Sequence, residues 1–557
     1  QENRSFDSYF GTFPGADGLY SQPASQTRGF TQQLVNGDGS TTTISPFRIG
    51  PKEFAADTDD IDHSHPRIVA KMDIQGGAAR MDAFALVEER KYSPTGNPSL
   101  LAKQFGELAM AHEDCDTVPF LWQYAHKFVL FDATFQAMSG PSTPGNLEII
   151  AAQAGQTQLV KHPDEAFTGN GAAGPGVPVL NDLNPLAGSP KDPLTYGIVP
   201  INPGDLPETV VQDNLTFATL PLTLEGKRIG QDTQADADPK VDLADVGRDI
   251  ASLSRSGGRA IPWGWYEEGY DREPTDAANA PATGSHTSYV THHNGPQYFG
   301  YIARNAELRG HLHGLHDLYA ALDRRELPAA GGVYFVKGGF TNILGLKPAD
   351  PDPAVQKHFR GDDDHPAYSD AEISEAMVAA TINRIARSPY WAHSAIVITY
   401  DDSEGDYDHV PPPMRAVGPD GVEISDGPRV PLIVLSPYAK THVISHELGD
   451  TASVPKFIDR LFDLTPLAEL PDENSARIAG LETFGQPNLG PTDAETVGIG
   501  DLTSAFSRQR LTGAAPPLPP AYAEIPDAWV MVLPQTSGFG CRTLGLVPTD
   551  AYLPNRI

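Results

Sequence analysis

Five runs of apolar, β-branched or aromatic residues, each leading into a segment of helical character, constrain the fold of this chain more than any other feature. They are "KFVLFDATF" (127–135), "AIPWGWY" (260–266), "GVYFVKG" (332–338), "SAIVITYDD" (394–402) and "RVPLIVLSPY" (429–438). Strand-length apolar runs alternating with helices predict an α/β fold, with a mostly parallel sheet covered by helices on both faces. Sites in such sheets gather at the carboxyl ends of the strands. The 557 residues would suffice for several domains by simple division, yet large α/β enzymes wrap such lengths around one sheet, so one dominant core is expected. Residues 163–240 are rich in Gly, Pro and Asp with little helical period, and read as a surface insertion or cap. Residues 464–557 read as an irregular extension packed on a core formed by 1–463, and no internal repeat is present.

Charge and cysteine content narrow the partners. Lys and Arg number 40 against 72 Asp and Glu, a formal net charge of -32, which on average repels nucleic-acid phosphates and anionic bilayer surfaces. Nucleic acid is therefore not an expected partner. The longest apolar runs have strand lengths, well short of the roughly 18 residues of a membrane-spanning helix, so no integral membrane segment is expected. Two cysteines, Cys115 and Cys541, exclude a disulfide-rich scaffold and a four-cysteine metal cluster, and leave one long-range disulfide open. The chain begins at Gln1 without an initiator Met or a signal peptide, from which processing or truncation upstream is expected.

The strand end in "SAIVITYDDSEGDYDHVPPP" places Asp401 and Asp402 side by side. Adjacent side chains of a strand point to opposite faces, so these carboxylates share a target only where the strand has given way to loop. There they would suit a hard cation; a polar strand-to-loop junction is the plainer alternative. An EF-hand is set aside, because "DDSEGDYDHV" lacks the alternating oxygen ligands and the terminal Glu. Asp408 and His409 either reach the same site or close the loop before the prolines. Glu2 and Asn3 offer a further carboxylate and amide oxygen, though a chain-terminal pair is ordinarily solvent exposed.

The stretch "FVLFDATFQAMSGPSTPGNLEIIAAQ" (128–153) runs from strand through a Gly-Pro-Ser-Thr-Pro turn into a helix. A helix start presents unpaired N–H groups and a positive dipole end to an anion, and Ser142 would lie beside a phosphoryl group held there. A metal that lowered the pKa of its hydroxyl would make it a nucleophile; as an alternative, Ser142 or Thr143 merely caps the helix. His63 in "DIDHSH", His292 and His293 in "THHNGPQYF" and His365 in "DDDHPAYSD" could donate to phosphoryl oxygens or protonate a leaving alkoxide, or be ordinary surface histidines. No "GxSxG", "HExxH" or "GxxxxGK[ST]" motif is present.

Together "ENRSFDSYFGTFPGADG", "DIDHSH" with "GGAARMDAF", "SGPSTPGNLEIIAAQ", "AIPWGWYEEGYD", "THHNGPQYF", "DDDHPAYSD", "TYDDSEGDYDHVPPP" and "GPRVPLIVLSPYA" resemble the bacterial phospholipase C and acid phosphatase family of phosphoesterases. That family belongs to the alkaline-phosphatase-like superfamily. The resemblance implies a three-layer α/β/α sandwich with irregular insertions, and secretion or a periplasmic location. It implies one divalent metal ion, calcium, magnesium, manganese or zinc, on Glu2, Asn3, Ser142, Asp401 and Asp402. Ser142 would attack phosphorus to give a phosphoserine that water releases, with His292, His293, His365 and His63 around the phosphoryl group. The family's first motif follows a hydrophobic strand and a signal peptide, whereas this chain starts just after that point. The C-terminal repeats of the larger phospholipases are not recognisable. The "DD" pair, "PWGWYEEG" and "THHN" lean towards the acid-phosphatase-like branch acting on phosphate monoesters, with the head-group diester of phospholipids as second substrate and a non-catalytic cation-binding protein as the reading of another class.

Overall fold

All five apolar runs form strands. The computed structural model describes residues 1–163, 178–182, 185, 215–232, 245–271, 273, 288–303, 305–418, 421–494, 498–532 and 540–550. Most of the insertion expected at 163–240 lies outside the described residues. The strands that matter for the site are β1 (Val129–Phe131), β2 (Trp263–Glu267), β3 (Leu312–Gly314), β4 (Val333–Lys337), β5 (Ile396–Thr399), β6 (Leu432–Leu435) and β7 (Val443–Ser445). The helices around them include α1 (Phe6–Phe10), α2 (Pro119–Lys127), α3 (Ser142–Ala151), α4 (Leu315–Arg324), α5 (Ala371–Arg387), α6 (Ser453–Phe462) and α7 (Pro471–Phe484).

The strands fall into two sheets rather than the one mostly parallel sheet expected. One is wholly parallel, in the order β3-β2-β4, and the other runs β5-β6-β1-β7. In the second, β1 and β7 are parallel while β6 is antiparallel to both β5 and β1. The difference has a local cause. Parallel neighbours need a crossover, usually helical, and the chain between β5 and β6 contains no helix among its described residues, so it returns in the opposite sense.

Strand residues alternate between two apolar cores, as the two-residue period of a strand requires. Val129, Phe131, Leu432, Val434 and Trp265 pack with Leu147 and Ile150 of α3 and Phe457 of α6. Leu130, Ile433, Leu435, Ile398 and Tyr266 pack with Phe120 of α2, Leu315 of α4 and Ile373 of α5. Helices therefore cover both faces, which is why the runs read as continuously apolar and not as alternating.

The chain start is stitched to the end of β5. The Gln1 ammonium donates to the Thr399 carbonyl at 3.0 Å, and the Asp401 N–H donates to the Gln1 carbonyl at 3.2 Å. Glu2 N–H donates to the Asp363 carbonyl at 2.8 Å and Arg4 N–H to the Asp402 carbonyl at 3.1 Å. Glu2 and Asn3 are fully buried as a result, not exposed to solvent.

Two points in the last part of the described chain, Leu518 and Cys541, are tied down as well. Trp391 donates its indole N–H to the Leu518 carbonyl at 3.0 Å, and Cys541 forms a disulfide with Cys115 across 426 residues of sequence. The bond restricts the unfolded chain over a very long loop. Reduction, or Cys115→Ser, is expected to lower stability by about 2–5 kcal/mol, seen as a lower urea midpoint. An unchanged midpoint would show that the ends are held by packing alone.

Candidate active site

Ser142 is the first residue of α3, after Pro141 in extended conformation, and its own hydroxyl does not cap the helix. Its hydroxyl is used elsewhere. Ser142 Oγ lies 2.6 Å from Glu2 Oε2, 3.2 Å from Asn3 Oδ1 and 3.2 Å from Asp402 Oδ2. Three distant pieces of chain thus converge on one hydroxyl: residues 2 and 3, the start of α3 and the loop after β5.

Each piece has a local reason for its place. Asn3 sits at φ 58°, in the left-handed region that Asn tolerates better than most residues. Asp401 and Asp402 follow the end of β5 at Thr399, where the backbone bends and both carboxylates can turn to the same side. Gly145 lets α3 approach that bend, because a Cβ there would lie 2.4 Å from the Asp401 carbonyl oxygen. Asn146, one turn along from Ser142, donates to the Ser142 carbonyl at 2.8 Å and to Asp401 Oδ2 at 3.0 Å.

Glu2, Asp401 and Asp402 each bring one carboxylate oxygen within 4.8 Å of the others, and all three are buried. Lys337, at the end of β4, pairs with Glu2 and lies 2.9 Å from Asp401. Burial pushes the Asp402 carboxyl up to about 8, with Asp401 adding to it and His63 opposing. Burial also raises Asp401, but Lys337, His293 and the chain's ammonium outweigh it and hold that carboxyl below its ordinary value. The donor set of three carboxylates, the Asn3 carbonyl and the Ser142 hydroxyl is all oxygen, which fits a hard divalent cation.

The histidines ring this cluster. His293 Nε2 lies 3.3 Å from Glu2 Oε2 and its Nδ1 lies 3.7 Å from Asp363. His292 stands beside it with ring centroids 4.3 Å apart, and its carbonyl accepts from the Tyr298 hydroxyl at 3.1 Å. On the other side His63 Nε2 lies 3.4 Å from the Asn3 amide nitrogen, and its ring is 5.6 Å edge-on from His365. Burial alone would lower the His63 imidazole, but the carboxylates of Glu404 and Asp60 outweigh it and raise the ring well above 6.5. Burial, with His292 next, takes His293 well below that value. Burial takes His365 to about 4, His63 adding and Asp60 opposing.

Some residues were not anticipated. Glu404 accepts from the Asn3 amide at 2.5 Å and from the Ile61 N–H at 2.8 Å, so it orients Asn3 with its oxygen towards Ser142. Lys337 had a sequence signal, a lysine closing an apolar strand; Asn146 had one too, four residues after Ser142 on the same helix face. Glu404 and Asp363 had none.

Asp408 and His409, of the two readings weighed for them, take the structural one. His409 Nδ1 is 2.6 Å from Asp7, and Arg429 joins Asp7 at 3.0 Å and Asp408 at 2.9 Å in a buried network beneath α1. They pair with Arg429 and Asp7 because the loop after Asp402 carries them past the cluster.

The family model described as "Phosphoesterase family" matches residues 1–465. The chain belongs to the phosphoesterase family. Among curated relatives, this phosphoesterase-family chain is 24% identical over 600 residues to the non-hemolytic phospholipase C of Burkholderia pseudomallei, covering 100% of this chain and 66% of that protein. It is 34% identical over 124 residues to the non-specific phospholipase C1 of Arabidopsis thaliana, covering 19% of this chain and 23% of that protein. The chain thus spans less than two thirds of the length of the curated relatives it matches. Among solved structures, the phosphonate monoester hydrolase SpPMH from Silicibacter pomeroyi aligns over 74% of this chain and 73% of its own at 12% identity, with a TM-score of 0.26. That likeness is too slight to bear on the fold. Among the described residues no helix is long and apolar enough to cross a membrane.

Proposed function

We propose that this chain is a metal-dependent phosphoesterase that hydrolyses phosphate esters through a phosphoserine on Ser142. The observation that carries the reading is the hydroxyl of Ser142, buried and within 3.2 Å of Glu2, Asn3 and Asp402 at once. A divalent ion held by Glu2, Asn3, Ser142, Asp401 and Asp402 would lower the pKa of that hydroxyl and offset charge on the phosphoryl oxygens.

The chain's own groups do the rest. Ser142 Oγ forms the bond to phosphorus as the bond to the leaving oxygen breaks, and its proton departs along the 2.6 Å contact to Glu2 Oε2. His63, the imidazole kept protonated by Glu404 and Asp60, is the donor to the leaving oxygen. His292, His293 and His365 line the phosphoryl group, and water then cleaves the phosphoserine to regenerate the hydroxyl. Helices on both faces of the two sheets support a three-layer α/β/α arrangement, with 1–463 as catalytic unit and 464–557 as its extension. The Cys115–Cys541 disulfide supports an oxidising location, secreted or periplasmic.

Two substrate classes fit this site: phosphate monoesters, and the head-group diester of phospholipids, which is favoured by relatives that carry the name phospholipase C. Phosphate release from a soluble monoester and head-group release from phosphatidylcholine, measured in parallel, are both expected to fall at least about a hundredfold in a chelator and to return with a divalent cation. Turnover that persists in chelator would overturn the metal's role. Absence of turnover on either substrate after metals are restored would favour a non-catalytic cation-binding protein.

A further inference from the structure

The amides at the start of α3 are not all free. Asp182 Oδ1 accepts the Thr143 N–H at 2.9 Å, one residue from the proposed nucleophile. The contact is anchored and not a stray surface side chain. Val179 and Leu180 are buried in the core that α3 shares, and Val179 N–H donates to the Ala154 carbonyl at 2.7 Å, just past the other end of that helix. Asp182 itself is half-buried, and its charge reaches Asp402. An internal carboxylate therefore occupies a hydrogen-bond position at the helix start that a phosphoryl oxygen on Ser142 would otherwise take.

We propose that Asp182 selects substrates by charge, disfavouring dianionic phosphate monoesters and inorganic phosphate relative to monoanionic phosphodiesters. The proposal rests on the reading of Ser142 as the nucleophile. Any phosphoryl oxygen that takes the Thr143 N–H must displace the same carboxylate, a cost common to both classes. The repulsion that remains scales with the incoming charge. A monoester carries nearly two negative charges at neutral pH and a diester one. One extra charge near a half-buried carboxylate is worth on the order of tenfold in affinity.

The test uses the full metal-loaded chain as wild type, Asp182→Asn and Asp182→Ala. Asparagine keeps a carbonyl for the Thr143 N–H and so preserves the cap while removing the charge. The measurements are kcat/KM on p-nitrophenyl phosphate and on bis(p-nitrophenyl) phosphate, with calorimetric binding of inorganic phosphate. Both variants are expected to raise the monoester-to-diester ratio of kcat/KM on the order of tenfold and to tighten phosphate binding by a similar factor. An unchanged or lower ratio, or weaker phosphate binding, would overturn the proposal and leave Asp182 as a helix cap or a substrate ligand. Phosphate bound by none of the three, together with full turnover in Ser142→Ala, would instead overturn the phosphoryl site itself, and the charge-selecting role with it.

Discussion

Ser142→Ala is expected to lower turnover at least about a thousandfold on whichever ester proves to be the substrate, while the protein stays folded. The side chain caps nothing, since its hydroxyl faces Glu2, Asn3 and Asp402 while the Thr143 N–H is held by Asp182, so its removal does not fray the helix. What is lost is the oxygen that attacks phosphorus and the contacts to Glu2, Asn3 and Asp402. Those partners keep others: Asn3 retains Glu404, Asp402 retains the Glu404 N–H at 2.7 Å, and Glu2 retains Lys337. Thermal unfolding should therefore move by no more than a few degrees. Steady-state kinetics and a melting curve on the same preparation decide the matter. A variant with a tenth or more of the wild-type kcat would exclude Ser142 as nucleophile, whatever its geometry.

Arg429→Met is expected to destabilise the fold by about 3–5 kcal/mol, because it leaves buried charges without a partner. The Arg429 guanidinium is fully enclosed, with its Nε on Asp408, Nη2 on Asp7, and Nη1 donating to the carbonyls of Asp17 at 2.8 Å and Asp132 at 2.6 Å. It also lies 4.5 Å from the centre of the Phe6 ring. Its carbonyl accepts the Phe6 N–H at 2.9 Å, so the same residue fastens the segment that brings Glu2 and Asn3 to Ser142. Loss of activity should accompany loss of stability. A denaturant midpoint within error of wild type would show that Asp7 and His409 suffice as a pair.

The network also carries a pH signature. Burial alone would lower the His409 imidazolium, but Asp7 and Asp17 outweigh it and raise it from 6.5 to about 9. A group raised on folding stabilises fully below its unfolded value and loses that contribution as pH climbs through its folded value. The stability difference between wild type and His409→Gln should then be constant below about pH 6.5 and shrink towards pH 9. A difference that stays flat between pH 6.5 and 9 would mean that folding does not raise the His409 imidazole.

How far the site could be read in advance depended on whether each residue belonged to a pattern. Ser142 stood at a strand-to-helix turn, and Asp401 and Asp402 at a strand end, both places where α/β sheets put ligands. Glu2 and Asn3 had only the family resemblance, because a carboxylate near a chain terminus is ordinarily in water. Asp408 and His409 looked equal to Asp401 and Asp402 in sequence, and only the turn of the loop separates them. Asp182 and Glu404 lie in irregular segments, where no period links side-chain direction to position.

The apolar runs by themselves determined that this is an α/β protein with two-sided strands, since a continuous run of Val, Ile, Leu and Phe must be buried on both faces wherever it lies. They also determined which strand ends carry polar residues. Strand direction and the division into two sheets were decided by tertiary structure, because among the described residues β5 is joined to β6 without the helix that a parallel return usually uses. The site was decided there too: residues 2, 142 and 402 are neighbours only after the chain start pairs with the end of β5 and a glycine lets α3 come close. Local sequence sets the periodicity of burial, but long-range backbone hydrogen bonds and close helix contacts set which buried polar groups meet.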